Sequence, residues 1–198
     1  MMRILLVLLS CLASAPAHAA AASSVPSTEW GLPQLMQSLA QVQTSQARFV
    51  ERKHLKVLDV ALTSSGTLSF QAPGRLEKHT LAPREDSLVL DQGVLTMENK
   101  ARNIKRTLVL QEYPVVWAFV ESIRSTLAGD LPMLERFYQV ELTGDASRWR
   151  MKLRPRDQRT QQMVSEIVFA GRGDRVTGIE MLESSGDRSI MSVIEEAK

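Results

Sequence analysis

From Gly66 the chain alternates strictly. Gly66, Leu68 and Phe70 fall on one side, and Thr67, Ser69 and Gln71 on the other. This period of two predicts a half-buried strand over 66–71. Pro73-Gly74 breaks the run and turns the chain. Further strands are predicted over 75–81, ended by Pro83; over 87–91, which carries Leu88-Val89-Leu90; and over 94–98, entered through a tight turn at Gln92-Gly93. Strands this close together leave no room for crossover helices, so they form an antiparallel meander.

Upstream, Leu32, Leu35, Met36, Leu39 and Val42 have helical spacing, with Ser27 or Thr28 as the cap. A strand is predicted over 47–55, with Ala47 and Phe49 on one face and Arg48, Arg52 and His54 towards solvent. A second is predicted over 57–62, with Ser64-Ser65 as a bulge or turn before Gly66. Downstream, 103–110 reads as a strand, and then the period changes. Tyr113-Pro114 opens a helix over 115–127 whose stripe is Val116, Phe119, Val120, Ile123 and Leu127, closed by Gly129. Asp130 caps a short helix over 131–136, with Pro132 in its first turn. Strands resume over 138–143, 148–154, 163–170, 175–183 and 188–195, with a polar loop over 155–162. The class is therefore α+β: about eleven antiparallel strands interrupted by one helical insert. A sheet this wide must curl or split.

The first residues change the picture of where the chain works. Met1-Met2-Arg3 is followed by a short apolar run and by Ala17-His18-Ala19. That is the pattern of a cleavable secretory signal peptide over 1–19, too short to span a bilayer. The rest, 20–198, reads as a single periplasmic domain. Cys11 is the only cysteine and lies in the leader, so no disulfide supports the domain. Without Arg3 the charges are 23 basic against 22 acidic. Such a balance argues against nucleic acid as a partner.

Candidate chemistry is sparse. Only His54 and His79 follow the leader, both among charged neighbours, and no nucleophile elbow, zinc motif or phosphate loop is present. No catalytic residue, metal or cofactor is predicted. Gly171-Arg172-Gly173-Asp174 is a hairpin tip by composition. The basic run 148–159 reads as a solvated strand face, with acidic lipid headgroups as the lesser alternative. Methionines 97, 133, 151, 163, 181 and 191 are scattered through strands and insert, soft enough to fit irregular contents.

The Gly-Thr-Leu-Ser-Phe strand at 66–70, the Pro73-Gly74 turn with Arg75-Leu76, Pro83, and the apolar strand ending at Asp91-Gln92-Gly93 resemble the periplasmic outer-membrane lipoprotein carrier (LolA-like) family. The resemblance implies a strongly curved antiparallel sheet, a half-barrel, with helices covering its concave face. It implies a non-enzymatic, monomeric carrier or chaperone. Such a carrier binds lipoprotein acyl chains or another hydrophobic lipid-linked product, takes it from an inner-membrane donor protein and passes it towards an outer-membrane acceptor. An envelope-stress sensory or regulatory lipid-binding module is the alternative. The cavity is then expected from Phe49, Leu68, Phe70, Leu88, Leu90, Val116, Phe119, Val120, Ile123, Trp149 and Met151. An acyl chain exposed to water costs about 0.8 kcal/mol per methylene, so its carrier must enclose it. The family carries a lid-locking arginine just before the proline at 73, where this chain has Ala72, and an aromatic residue near Glu77 and Lys78. Its lid is therefore expected to open more easily and to be separable from the sheet.

Overall fold

The computed structural model describes residues 30–195. The predicted leader and the caps Ser27 and Thr28 lie outside the described residues. Helix α1 (Leu32–Leu39) starts at Gly31 with Pro33 in its first turn, and buries Leu35, Met36 and Leu39. A first meander follows: β1 (Thr44–His54), β2 (Leu62–Gln71), β3 (Arg75–Ala82), β4 (Asp86–Asp91), β5 (Val94–Asn99) and β6 (Ile104–Val109). The insert is α2 (Pro114–Leu127) and α3 (Leu131–Phe137). A second meander closes the fold: β7 (Tyr138–Asp145), β8 (Arg148–Pro155), the single turn α4 (Gln158–Gln161), β9 (Val164–Arg172), β10 (Arg175–Glu183) and β11 (Arg188–Glu195).

All eleven strands form one antiparallel sheet in the order β6-β5-β4-β3-β2-β1-β11-β10-β9-β8-β7. The sheet is open, with β6 and β7 at its edges. The two meanders join at its centre, where Phe49 of β1 lies opposite Val193 of β11. Two sequence expectations change. Residues 57–62 are not a separate strand, because β2 starts at Leu62 opposite Lys53 and continues through Ser64-Ser65, where the expected irregularity appears as a register shift against β3 between Ser65 and Gly66. β11 starts opposite His54 and β3 ends opposite Ser65, so no neighbour reaches the hairpin tip and no ladder can form there. The tip instead exposes Val57 and Val60, at 87% and 76%. The polar loop after β8 also contains α4, capped by the Asp157 carboxylate, which accepts from the Thr160 amide at 2.9 Å.

The alternation predicted for β8 holds. Trp149, Met151 and Leu153 are fully buried, while the basic residues between them face out. Those cations meet acids on nearby strands: Arg150 reaches Glu180 on β10, two strands away, at 3.1 Å, and Arg154 reaches Glu166 on the adjacent β9 at 3.4 Å. The face is thus locally neutralised, which weakens the case for a headgroup patch.

The core is not continuous. One cluster joins α1 and α3 to β7, β8, β9 and β10 through Leu35, Leu134, Trp149, Ile167 and Phe169. A second joins α2 to β4 and β5 through Leu90, Leu95, Leu110 and Val120. Phe119 of α2 packs against both. One helix thus touches the two wings of the sheet, which must therefore curl around it. The buried cores of both clusters omit the central strands β1, β2 and β11.

Candidate functional site

Over those central strands lies a cavity of about 700 Å³. This falls within the roughly 300–1,000 Å³ of ligand-binding cavities. Strand register explains its floor. Residues paired across an antiparallel ladder share a face, so Ala47 of β1 sets Leu68 of β2, then Lys78 of β3 and Leu88 of β4, on the inner side. The next inner row runs from Ser45 through Phe70 and Leu76 to Leu90. On the other wing, Met191 and Val193 of β11 and Ile179 and Met181 of β10 complete the floor. The roof is α2, with Phe119, Val120, Ile123 and Leu127, joined by Leu39 and Val42 at the end of α1.

Seven of the residues expected from the sequence line this space: Leu68, Phe70, Leu88, Leu90, Phe119, Val120 and Ile123. Four do not. Val116 packs into the cluster between α2, β4 and β5. Trp149 and Met151 are closed over by α1 and α3 in the other cluster, and the Trp149 indole donates to the Gly173 carbonyl at 2.9 Å. Phe49 is on the inner face but only 1% exposed, with the Lys78 ammonium 4.8 Å from its ring centre. The residue opposite Phe49 is Gly66. A Cβ at Gly66 would overlap the His79 carbonyl oxygen, so β2 and β3 could not stay paired there with any larger residue.

Sequence reasoning missed Leu76, Leu127, Ile179 and Val193, and left open which of the methionines line the cavity, here Met181 and Met191. It also missed a polar group. Glu51 of β1 accepts from Lys78 Nζ and from Ser189 Oγ, each at 2.6 Å. Burial opposes ionisation of Glu51, but these two hydrogen bonds and the nearby lysines outweigh it and lower its pKa. Parity was the available signal: the alternation that turns Ala47 and Phe49 inward also turns Glu51 inward. The two histidines take no part here. His79 lies 3.0 Å from Glu77 on the opposite face of β3, and neither histidine lines the cavity.

Helix α2 is more firmly held than a separable lid. Its Ser122, Ser125 and Thr126 are fully buried, and Tyr138 Oη donates to the Ala118 carbonyl at 2.9 Å. The locking arginine missing before Pro73 has a counterpart on the helix. Arg124 donates to the Pro73 carbonyl at 3.2 Å, to Glu121 at 2.8 Å and to Asp130 at 2.9 Å. Its stem lies against Gly74, where a side chain would collide with it. The fastening thus runs from helix to turn, and the lid is not left loose. Arg124→Leu leaves the buried Glu121 carboxylate without its cation. It is expected to cost roughly 2 kcal/mol and to speed amide hydrogen exchange in α2 selectively. Unchanged exchange in α2 would show that Arg124 does not fasten the helix.

Three comparisons bear on this arrangement. The family model described as "Outer membrane lipoprotein carrier protein LolA-like" matches residues 19–194. No curated protein sequence matches the chain. Among solved structures, a LolA superfamily protein from Nitrosomonas europaea is 9% identical, with 83% of this chain and 93% of that one covered and a TM-score of 0.43. A putative outer membrane lipoprotein-sorting protein domain from Vibrio parahaemolyticus is 10% identical, with 82% and 88% covered and a TM-score of 0.43. A chain of the Pseudomonas aeruginosa MucA/MucB complex is 15% identical, with 84% and 59% covered and a TM-score of 0.45.

Proposed function

We propose, from the premise that this chain belongs to the outer membrane lipoprotein carrier protein LolA-like family, that it is a non-enzymatic periplasmic carrier of acyl chains. Its cargo is the acyl part of a lipoprotein or of another lipid-linked product. The observation that carries this reading is the divided core: the central strands turn Ala47, Leu68, Phe70, Met191 and Val193 towards an apolar space, and none of them belongs to either hydrophobic cluster. An apolar volume of about 700 Å³ left open in a domain of this size would otherwise be a large loss of packing. Filled by an acyl chain, it recovers about 0.8 kcal/mol per methylene taken out of water. The two methionines on its floor, Met181 and Met191, suit a flexible hydrocarbon of variable shape. Delivery to an acceptor then requires the roof, α2, to move relative to the floor, since no bond is made or broken.

The test is purification of the chain from the periplasm, followed by solvent extraction and titration with a fluorescent fatty-acid probe. Co-purifying lipid, or saturable probe binding, is the expected result. Protein that is lipid-free and ignores the probe overturns the carrier reading. Bound lipid that never passes to acceptor vesicles would favour a lipid-sensing module instead.

A further inference from the structure

The cavity wall is apolar along the roof and much of the floor. Asp174 and Arg175 line it at the turn between β9 and β10 and Glu77 lines it on β3, and at another place three strands bring polar groups together inside it. Glu51 comes from β1, Lys78 from β3 and Ser189 from β11. Glu51 and Lys78 are separated by β2, and the lysine reaches back across it over the Phe49 ring. The Glu51 side chain is 18% exposed and that of Lys78 28%. An ion pair this sheltered is a poor source of stability, because its desolvation offsets most of the Coulomb attraction and an apolar pair of similar volume would serve as well. Its chemistry therefore points to something it binds.

An ammonium has three N–H donors and no acceptor. Lys78 uses one on Glu51 and rests against the face of Phe49. Among the described residues Glu51 is its one hydrogen-bond acceptor, so donors remain for a ligand. The carboxylate already accepts from Lys78, Ser189 and, at 3.5 Å, Ser64, and the pair carries no net charge. A ligand carboxylate or phosphate at this pair would add a net negative charge beside the Glu51 carboxylate in a sheltered space, which is costly. An uncharged carbonyl oxygen accepts the same hydrogen bond without that cost.

We propose that Lys78, oriented by Glu51 and Ser189, is a polar subsite for the carbonyl oxygen of an acyl ester or amide, so that the cavity selects linked acyl chains over free fatty acids. This rests on the carrier reading of the cavity and deepens it. The pair places the linkage beside β1 and β3, with the hydrocarbon running under α2 towards Leu127 and Val42.

The test is displacement of a fluorescent apolar probe from the purified full chain by dodecane, methyl dodecanoate and dodecanoate at pH 8. Methyl dodecanoate is expected to bind about tenfold more tightly than dodecane, the worth of roughly one net hydrogen bond, and more tightly than dodecanoate. In the double variant Lys78→Met with Glu51→Gln, which leaves no lone charge in the cavity, ester and alkane should bind equally. Equal binding of ester and alkane to the unaltered protein overturns the proposal, as does dodecanoate binding most tightly. If dodecane itself fails to displace the probe, the carrier reading fails, and this proposal with it. The ranking on the unaltered protein decides the matter even if the double variant does not fold.

Discussion

Phe119→Glu is expected to weaken fatty-acid probe binding by at least about a hundredfold. A carboxylate placed in an apolar space without a partner costs several kcal/mol, and 1.4 kcal/mol is a factor of ten. Phe119 lines the cavity roof and packs against both hydrophobic clusters, so the melting temperature should fall too. The domain should nevertheless unfold in one transition. The helix keeps the Tyr138 bond to its backbone and the Arg124 fastening to the β2–β3 turn, and neither depends on Phe119. Probe affinity and thermal unfolding measured together check this. Unchanged affinity would show that cargo does not lie beneath α2.

Trp149→Ala should do the reverse. Trp149 is fully buried, its ring lies where Gly171 has no side chain, and its indole N–H is bonded to Gly173. Large-to-small truncation of such an aromatic costs about 3–5 kcal/mol. The indole is outside the cavity wall, so probe affinity at a temperature where the variant is folded should change by less than about twofold, well under one net hydrogen bond. Denaturant unfolding gives the first quantity and probe titration the second. A fall in affinity in the folded variant would mean that the cavity extends under α1 to β8. The pair of variants separates filling from function, a distinction that alternation along a strand does not make.

Much of the architecture was legible because sheets announce themselves by period and by turn residues. The Pro73-Gly74 and Gln92-Gly93 turns, the alternation of 66–71 and 148–154, and the helical stripe from Val116 to Leu127 all stand in the structure as read. The extra strand at 57–62 came from treating alternating apolar residues as sufficient, whereas a strand also needs neighbours, and none extends beyond His54 and Ser65. The candidate site was legible only in part, for a related reason. Met151 and Met181 have the same inward parity, but Met151 is fully buried within the cluster under α1 and α3, whereas Met181, packed against the edge of that cluster, also lines open space. Which of these happens depends on where the helices settle across the sheet. No local pattern reports that. Arg124 was equally hidden, since its partner Pro73 is distant in sequence and offers only a carbonyl. Glu51 and Lys78 were within reach, as charged residues at inward positions.

The pairing of β1 with β11 has a consequence for how the molecule comes into being. Strand pairs within each meander join neighbours in sequence, whereas the central seam joins the first strand to the last described one. Contacts so remote in sequence must overcome a large loop-closure entropy and form slowly. Of the two hydrophobic clusters only the one joining α2 to β4 and β5 is local in sequence, since the other also needs α1 from the start of the fold. The cavity, which straddles the seam, is thus completed only once β11 has paired with β1, and a copy in which β11 is not yet in place lacks Met191 and Val193 from its floor.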